Sequence, residues 1–219
     1  MVCLAESVSL NAWMKGGERV TTTERLPAVV PANWVPGPPQ GQWTYADYAA
    51  IPDDGKIYEV VKGVLYMSPA PTPGHQSVSL EIAGYLRQCV QMAGLGRVFI
   101  APTDVELGPG DVVQPDVFVL LNEHLGQIER SCIVGAPDLV VEILSPGTWR
   151  HDLHGKLDAY ARAQVPEYWI VSASEQVVEL LVLENETYQS LGVFQGEAIL
   201  PSRIVPDWSV TVARLFAYV

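Results

Sequence analysis

Two continuous apolar runs in the middle of the chain predict strands that are buried on both faces. The runs Val117–Leu121 and Leu139–Leu144 are β-branched and aliphatic, and they are bounded by Pro115, Pro137 and Pro146. Runs of this length without alternating polar positions are typical of strands inside a sheet. The pattern therefore predicts two neighbouring central strands.

Helical and strand patterns surround this pair. Apolar positions recur at helical spacing from His75 to about Ala93, and a second helix is predicted from about Asp152 to Gln164, with Asp152 as N-cap. Two β runs flank Lys62–Gly63, a two-residue hairpin signal. Further strands are predicted on either side of the turn GPGD and in the segments PEYWIVSA, VVELLVLEN and ETYQSLGVF. This order of elements predicts an α/β or α+β fold of three layers.

The first 40 residues follow a different pattern. They are rich in proline, threonine and glycine and lack a sustained period, which predicts an irregular N-terminal extension over residues 1–40. A short helix is expected around Ser7–Lys15, and Trp34 and Trp43 are candidates to pin the segment to the body. Residues 41–219 then form the main domain.

Composition and charge narrow the possible functions. The chain carries 13 Lys and Arg against 25 Asp and Glu, a net charge of −12. Phosphate contacts need Lys and Arg, so this charge counts against a tight, general DNA binder. No apolar stretch approaches the roughly 20 residues that span a bilayer, and no signal peptide is expected. Three cysteines without a CxxC pair suit a reducing cytoplasm.

Two acids belong to the predicted central strands. Asp116 stands directly before the first apolar run, and Glu142 lies within the second. A carboxylate in such a place is costly to desolvate unless a positive charge compensates it. Two carboxylates, a strand carbonyl and waters suit a hard cation such as Mg²⁺ or Mn²⁺. The alternative is that each acid caps its strand; for the pair, the metal interpretation is the better one.

Three further side chains each allow two interpretations. Lys156 follows Asp152 by four residues, which predicts either a surface ion pair or an ammonium that reaches the sheet end to steady a transition-state charge. Glu59 is either a third acid of the site or a solvent-facing residue of an edge strand. His75, at a helix start, meets an anion or faces water.

The histidines, His124 included, lack zinc-ligand spacing, so no zinc site is predicted. Nucleotide-loop, serine-hydrolase and zincin motifs are absent from the sequence.

Four short motifs in a fixed order resemble one known family. They are PD (Pro115–Asp116), VVEILSP (Val140–Pro146), DLHGK (Asp152–Lys156) and PEYWIV (Pro166–Val171). With YEVVKGVLYMSPAPTPGHQ upstream and a late Pro–Asp–Trp–Ser segment, they are similar to the Uma-type putative restriction endonucleases. That family is a branch of the PD-(D/E)XK nuclease superfamily. The resemblance covers roughly residues 43–217.

The resemblance implies a fold and a metal site. The expected fold is a restriction-endonuclease-like three-layer core, in which helices flank a central mixed β-sheet. Asp116 and Glu142 would hold Mg²⁺ or Mn²⁺ with help from the carbonyl of Ile143. The implied activity is metal-dependent hydrolysis of phosphodiester bonds, with DNA as the expected substrate.

One departure from the superfamily pattern concerns the catalytic lysine. The usual position, two residues after the acid, is Leu144 here, and a leucine cannot orient water or offset charge. In this branch the lysine is taken to come from the following helix, which assigns the role to Lys156. Glu59 and His75 fall at family positions near the site and are carried over as further catalytic candidates.

The expected partners follow from the implied activity. Cutting both strands of a duplex is easiest with two symmetry-related sites, so a homodimer is expected. DNA contact would be weak or specific and not strongly electrostatic, because the net charge is −12. Two rivals stay open: an inactive binding or assembly module on the same scaffold, and a nuclease that acts on RNA or structured DNA.

Overall fold

Two six-stranded sheets form the framework of this protein. The computed structural model describes residues 29–145 and 155–218. The helix expected around Ser7–Lys15 and the proposed N-cap Asp152 lie outside the described residues.

The strands fall into two separate sheets. They are β1 (Val30–Pro31), β2 (Ile57–Val61), β3 (Val64–Ser68), β4 (Gly96–Ile100), β5 (Val105–Gly108), β6 (Asp111–Val113), β7 (Val117–Leu121), β8 (Ile133–Val134), β9 (Leu139–Leu144), β10 (Glu167–Ser172), β11 (Val177–Glu184) and β12 (Thr187–Gln195). The first sheet has the order β1-β3-β2-β6-β5-β8, and the second has the order β12-β11-β10-β9-β7-β4. In the second sheet, β9 and β10 pair in parallel and the other neighbours are antiparallel. This is the predicted central mixed sheet, and β7 and β9 are neighbours inside it, as predicted.

The first sheet was not anticipated as a separate layer. Sequence pattern placed DVVQPDVFVLL in one stretch of β structure, but the chain leaves the strand after Val113 and starts a new one at Val117. Pro115 lies in this break and has no backbone N–H to donate to a ladder. As a result β6 and β7 belong to different sheets.

The described helices are short except for one. They are α1 (Tyr45–Ala49), α2 (Pro73–Leu86), α3 (Leu157–Arg162) and α4 (Val212–Leu215), and Asn122–Gln127 forms a 3-10 helix. A π-helical turn, Arg87–Gln91, extends α2, so the helical stretch covers most of the predicted His75–Ala93. Its start is fixed by Thr72, whose hydroxyl accepts the His75 N–H at 3.2 Å. Within the described ranges, no helix is long and apolar enough to cross a bilayer.

The two faces of the second sheet pack against different layers. One face packs against α2 in a core that includes Ile82, Val141 and Ile143. The other face packs against α3 and the first sheet in a core that includes Val140 and Tyr160. Since side chains alternate along a strand, Glu142 points to the same side as Val140. The predicted three-layer arrangement is confirmed. Helix α2 is one outer layer, the second sheet is the middle layer, and α3 together with the first sheet forms the other outer layer.

The described part of the N-terminal segment packs against the first sheet. Val30 of β1 pairs with Met67 of β3, and the indole of Trp43 is buried whereas Trp34 is exposed. A Cβ on Gly37 would lie 2.4 Å from the Trp43 ring, so this close approach requires glycine. Of the two tryptophans, Trp43 therefore anchors the segment.

Candidate active site

The register of two strands places Asp116 and Glu142 at one end of the second sheet. Strands β7 and β9 are antiparallel, and Val117 pairs with Val141. Asp116 and Glu142 are the next residues beyond that pair, so both lie at the same end of the ladder between the two strands. Asp116 reaches across to the neighbouring strand, where its Oδ2 accepts a hydrogen bond from the Ile143 N–H at 2.7 Å.

His75 also contacts Asp116. Its Nε2 lies 3.1 Å from Asp116 Oδ2, and the two side chains are 12% and 17% exposed. The first turn of α2 carries the imidazole to this position, because the Thr72 cap fixes where the helix begins. His75 therefore faces the acid and not open water.

Lys156 lies between two buried carboxylates. Its Nζ is 2.8 Å from Glu59 Oε1 and 3.1 Å from Glu142 Oε1. The three side chains are between 3% and 5% exposed. A charged group so deeply buried needs a partner of opposite charge, and here two are present. The ammonium thus enters the site from the segment just before α3, while Leu144 packs in the apolar core.

Glu59 is held by the hairpin that carries it. Lys62 and Gly63 have positive φ angles of 53° and 70° and form the predicted two-residue turn between β2 and β3. Strand β2 lies between β3 and β6, so it is not an edge strand. The Glu59 carboxylate accepts the Gln114 N–H at 2.8 Å on Oε1 and the Ser68 hydroxyl at 3.4 Å on Oε2. The solvent-facing interpretation of Glu59 is therefore wrong.

Tyr160 is a member of the cluster that the sequence did not reveal. Its hydroxyl donates to Glu142 Oε1 at 2.5 Å, the same oxygen that Lys156 contacts. Complete burial, reinforced by the nearby charge of Glu142, raises the pKa of Tyr160 well above its ordinary value, so the hydroxyl remains a donor. From the sequence pattern alone, its large apolar ring predicts an ordinary core residue. The available signal was its spacing, because Tyr160 follows Lys156 by four residues and shares its helix face.

A cavity of about 520 Å³ unites these groups. Its lining contains every residue singled out as catalytic or metal-binding from sequence: Glu59, His75, Asp116, Glu142, Ile143 and Lys156. It also contains polar residues that were not singled out, among them Ser68, Gln114 and Ser145. The six residues come from β2, α2, the start of β7, β9 and the segment before α3, so the fold and not the local sequence brings them together.

The donor chemistry of this cavity fits a hard divalent cation. Asp116, Glu142 and the Ile143 carbonyl supply oxygen atoms alone, which are the ligands that Mg²⁺ and Mn²⁺ prefer. Among the described residues that line the cavity, three carboxylates face the one ammonium of Lys156, an excess of two negative charges. A divalent cation would offset that excess.

A second group of possible metal ligands lies at the opposite end of the same two strands. In the described ranges, ligand atoms of Glu123, His124 and Asp138 come within 4.8 Å of one another. His124 Nδ1 is 2.8 Å from Asp138 Oδ1, and the Leu121 N–H donates to Asp138 Oδ2 at 2.7 Å. Histidine spacing gave no sign of this group, because Asp138 comes from a different strand. These residues line neither the cavity above nor a smaller one beside Tyr48.

Most of this chain matches the model of one known protein family. A family model described as "Uma2: Putative restriction endonuclease" matches residues 45–213. The chain belongs to this family. The match confirms the resemblance inferred from the ordered motifs. Its extent, residues 45–213, is close to the range of roughly 43–217 expected from the sequence.

Solved structures support the same fold. A crystal structure of a putative nuclease belonging to DUF820 from Anabaena variabilis is similar, with a TM-score of 0.68 and 19% identity. The likeness covers 80% of this chain and 97% of that chain, and at this identity it speaks for the fold. The type IIG restriction endonuclease BpuSI aligns over 68% of this chain and 16% of its own, at 12% identity and a TM-score of 0.37, too low to support any argument. No curated protein matches.

Proposed function

We propose that this chain is a metal-dependent endonuclease that hydrolyses phosphodiester bonds in DNA. The observation that carries the proposal is the position of the Lys156 ammonium, within 3.1 Å of two buried carboxylates and in one cavity with Asp116. Membership of the Uma2 family, described as "Putative restriction endonuclease", supports it. The proposed nuclease domain spans residues 41–219.

In this proposal the metal ligands are Asp116, Glu142 and the carbonyl of Ile143. Mg²⁺ or Mn²⁺ bound there would lower the pKa of a water and polarise the phosphate. The Ile143 N–H holds Asp116 by its Oδ2, and His75 contacts the same oxygen. These two contacts orient the carboxylate before any ligand arrives.

Lys156 has the role of stabilising charge that develops on the phosphate during hydrolysis. An ammonium fixed in a partly desolvated site acts more strongly than one in water and needs no reorganisation during the reaction. Glu59 positions it at 2.8 Å, and Glu142 shares it. The role that Leu144 cannot perform is thereby filled from a different segment of the chain.

A plasmid-nicking assay with Mg²⁺ or Mn²⁺ tests the proposal. The wild type should convert supercoiled plasmid to the nicked form, and Asp116→Ala and Lys156→Ala should each abolish conversion. Lys62→Ala is the matched control, because Lys62 is an exposed lysine paired with Asp158 at the surface. Cleavage that persists unchanged in both cavity variants contradicts the proposal.

The net charge of −12 favours a second candidate, an inactive binding module on the same scaffold. Calorimetry with Mn²⁺ separates the two. A nuclease site should bind Mn²⁺ in the wild type and fail to bind it in Glu142→Ala. An inactive binding module should show the same Mn²⁺ titration for wild type and variant. Cleavage of RNA or branched DNA in preference to plasmid would reassign the substrate and keep the chemistry.

The proposal also covers the oligomeric state and the cellular compartment. Two copies with symmetry-related sites would cut both strands of a duplex, so we expect a homodimer in sedimentation experiments. The described cysteines, Cys89 and Cys132, are free thiols, which suits the reducing conditions of the cytoplasm.

A further inference from the structure

One wall of the cavity is apolar and accessible. Leu80 on α2 and Ile100 at the end of β4 both line it, and they are 70% and 52% exposed. Prolines and alanines from residues 69–73 and 101–102 continue this wall. Large apolar side chains that are exposed beside a polar floor are typical of a binding site for a ligand with an apolar part.

The charges of the cavity restrict what can lie on that wall. Among the described lining residues there is one lysine, Lys156, and no arginine. The Lys156 ammonium already contacts Glu59 and Glu142. A surface that follows a duplex backbone needs a row of Lys and Arg opposite the phosphates. The described wall instead suits a neutral, flat group attached to the phosphate that is hydrolysed.

We infer that the wall formed by Leu80 and Ile100 receives an unstacked nucleobase, so that each site acts on nucleic acid that is single-stranded or locally unpaired, including the unpaired stretches of a supercoiled duplex. This inference rests on the proposed nuclease function and specifies its substrate class. A base offers its neutral face to such a wall only when it is not stacked in a duplex. The volume of about 520 Å³ falls within the range of about 300–1,000 Å³ for pockets that enclose one small ligand, which suits a single nucleotide.

Binding of oligonucleotides tests the inference. The probe is a fluorescently labelled DNA strand of about 12 nucleotides, within the range covered by single-strand sites. It is offered alone and as a duplex, with Ca²⁺ in place of Mg²⁺ to slow hydrolysis. We expect the single strand to bind about tenfold more tightly than the duplex, about 1.4 kcal/mol. Equal or tighter binding of the duplex overturns the inference.

Variants of the wall supply the second arm. The double variant Leu80→Ala/Ile100→Ala should weaken binding of the single strand by about tenfold, because it removes several methyl and methylene contacts. Its affinity for Mn²⁺ should be unchanged. Met92→Ala is the matched control, since Met92 is 69% exposed near the end of the same helical stretch and does not line the cavity. All three side chains are exposed, so the variants should fold normally.

A DNA strand with abasic residues distinguishes the contribution of the bases to binding from that of the phosphates. It keeps every phosphate but has no base to place on the wall, so it should bind as weakly to the wild type as the normal strand binds to the double variant. Abasic DNA that binds as tightly as normal DNA overturns the inference, as does a double variant with unchanged binding. In either case Mn²⁺-dependent nicking would leave the proposed function standing. A protein that binds neither Mn²⁺ nor any nucleic acid defeats both.

Discussion

The two ends of the β7–β9 pair each carry a buried acid, and their surroundings differ. At one end Glu142 contacts Lys156 and Tyr160, and it shares a cavity with Asp116. At the other end Asp138, 4% exposed, accepts the Leu121 N–H, and its second oxygen meets His124, which is 43% exposed. Both acids interrupt or flank a run of apolar residues, so burial alone does not distinguish them.

The difference lies in where the partners of each acid come from. Asp138 is satisfied by residues at most 17 positions away, at the point where β7 ends. Such an acid caps the end of a strand. The Glu142 end assembles groups from five separate parts of the chain around an open volume. Convergence of distant donors on a cavity, more than burial, marks a candidate site for chemistry.

Removal of the Lys156 charge should have the largest effect. In Lys156→Met, the buried carboxylates of Glu59 and Glu142 lose the ammonium that they share, and breaking a buried pair costs about 3–5 kcal/mol in the free energy of unfolding. Nicking activity should be lost as well. Urea denaturation of the metal-free protein measures the first effect. Lys62→Met, at an exposed ion pair, should cost about 1 kcal/mol or less. Similar losses in both variants would erase the distinction between the two environments.

Tyr160→Phe should have the next largest effect. It removes a hydrogen bond to a charged group, which contributes about 1.5–3 kcal/mol to the free energy of unfolding. Because Tyr160 also orients Glu142, the affinity for Mn²⁺ should fall. Tyr188→Phe is the control: its hydroxyl donates to the Val165 carbonyl at 2.9 Å, away from the cavity. It should lower stability without changing Mn²⁺ binding in calorimetry. Unaltered Mn²⁺ affinity in Tyr160→Phe would reduce Tyr160 to a structural residue.

Asp138→Ala should destabilise the protein without affecting catalysis. The Leu121 N–H loses its acceptor, at a cost of about 1–3 kcal/mol. Nicking per folded molecule should match that of the wild type, in contrast to Asp116→Ala. Activity is measured at a temperature where denaturation curves show both variants folded. If Asp138→Ala abolishes nicking as Asp116→Ala does, the two ends do not divide into a cap and an active site.

The smallest effect is expected from His124→Ala. The His124 side chain is partly exposed, and it lies at the opposite end of the strands from the proposed metal ligands. Mn²⁺ affinity measured by calorimetry and Mn²⁺-dependent nicking should both stay within about twofold of the wild type, a change of less than about 0.5 kcal/mol. A large loss of nicking would show that the group of Glu123, His124 and Asp138 takes part in the activity.

Local patterns were enough to predict the acidic pair but not its surroundings. The apolar runs around Asp116 and Glu142 indicated two central neighbouring strands, and the observed register places both acids at one end of that pair. The contact of Lys156 could be expected only from the family resemblance, since the alternative of a surface ion pair fits its helical spacing equally well. Tyr160 looked like a core residue because its polar atom is one hydroxyl on a large apolar ring.

The first sheet escaped prediction because its pairing is not local. Strand β6 pairs with β2, where Val112 meets Val60 more than 50 positions earlier in the chain. Nothing in the run DVVQPDVFVLL shows which of its halves joins which sheet. The contact between His124 and Asp138 escaped for a similar reason, since the two residues flank a loop with no recognisable motif.

The break at Pro115 has a mechanical consequence. Glu59 belongs to the first sheet and Glu142 to the second, so the single ammonium of Lys156 fastens two sheets that the chain itself separates. If the sheets moved apart, one of these two ion pairs would open. Lys156 therefore joins the two sheets as well as contributing a positive charge to the site.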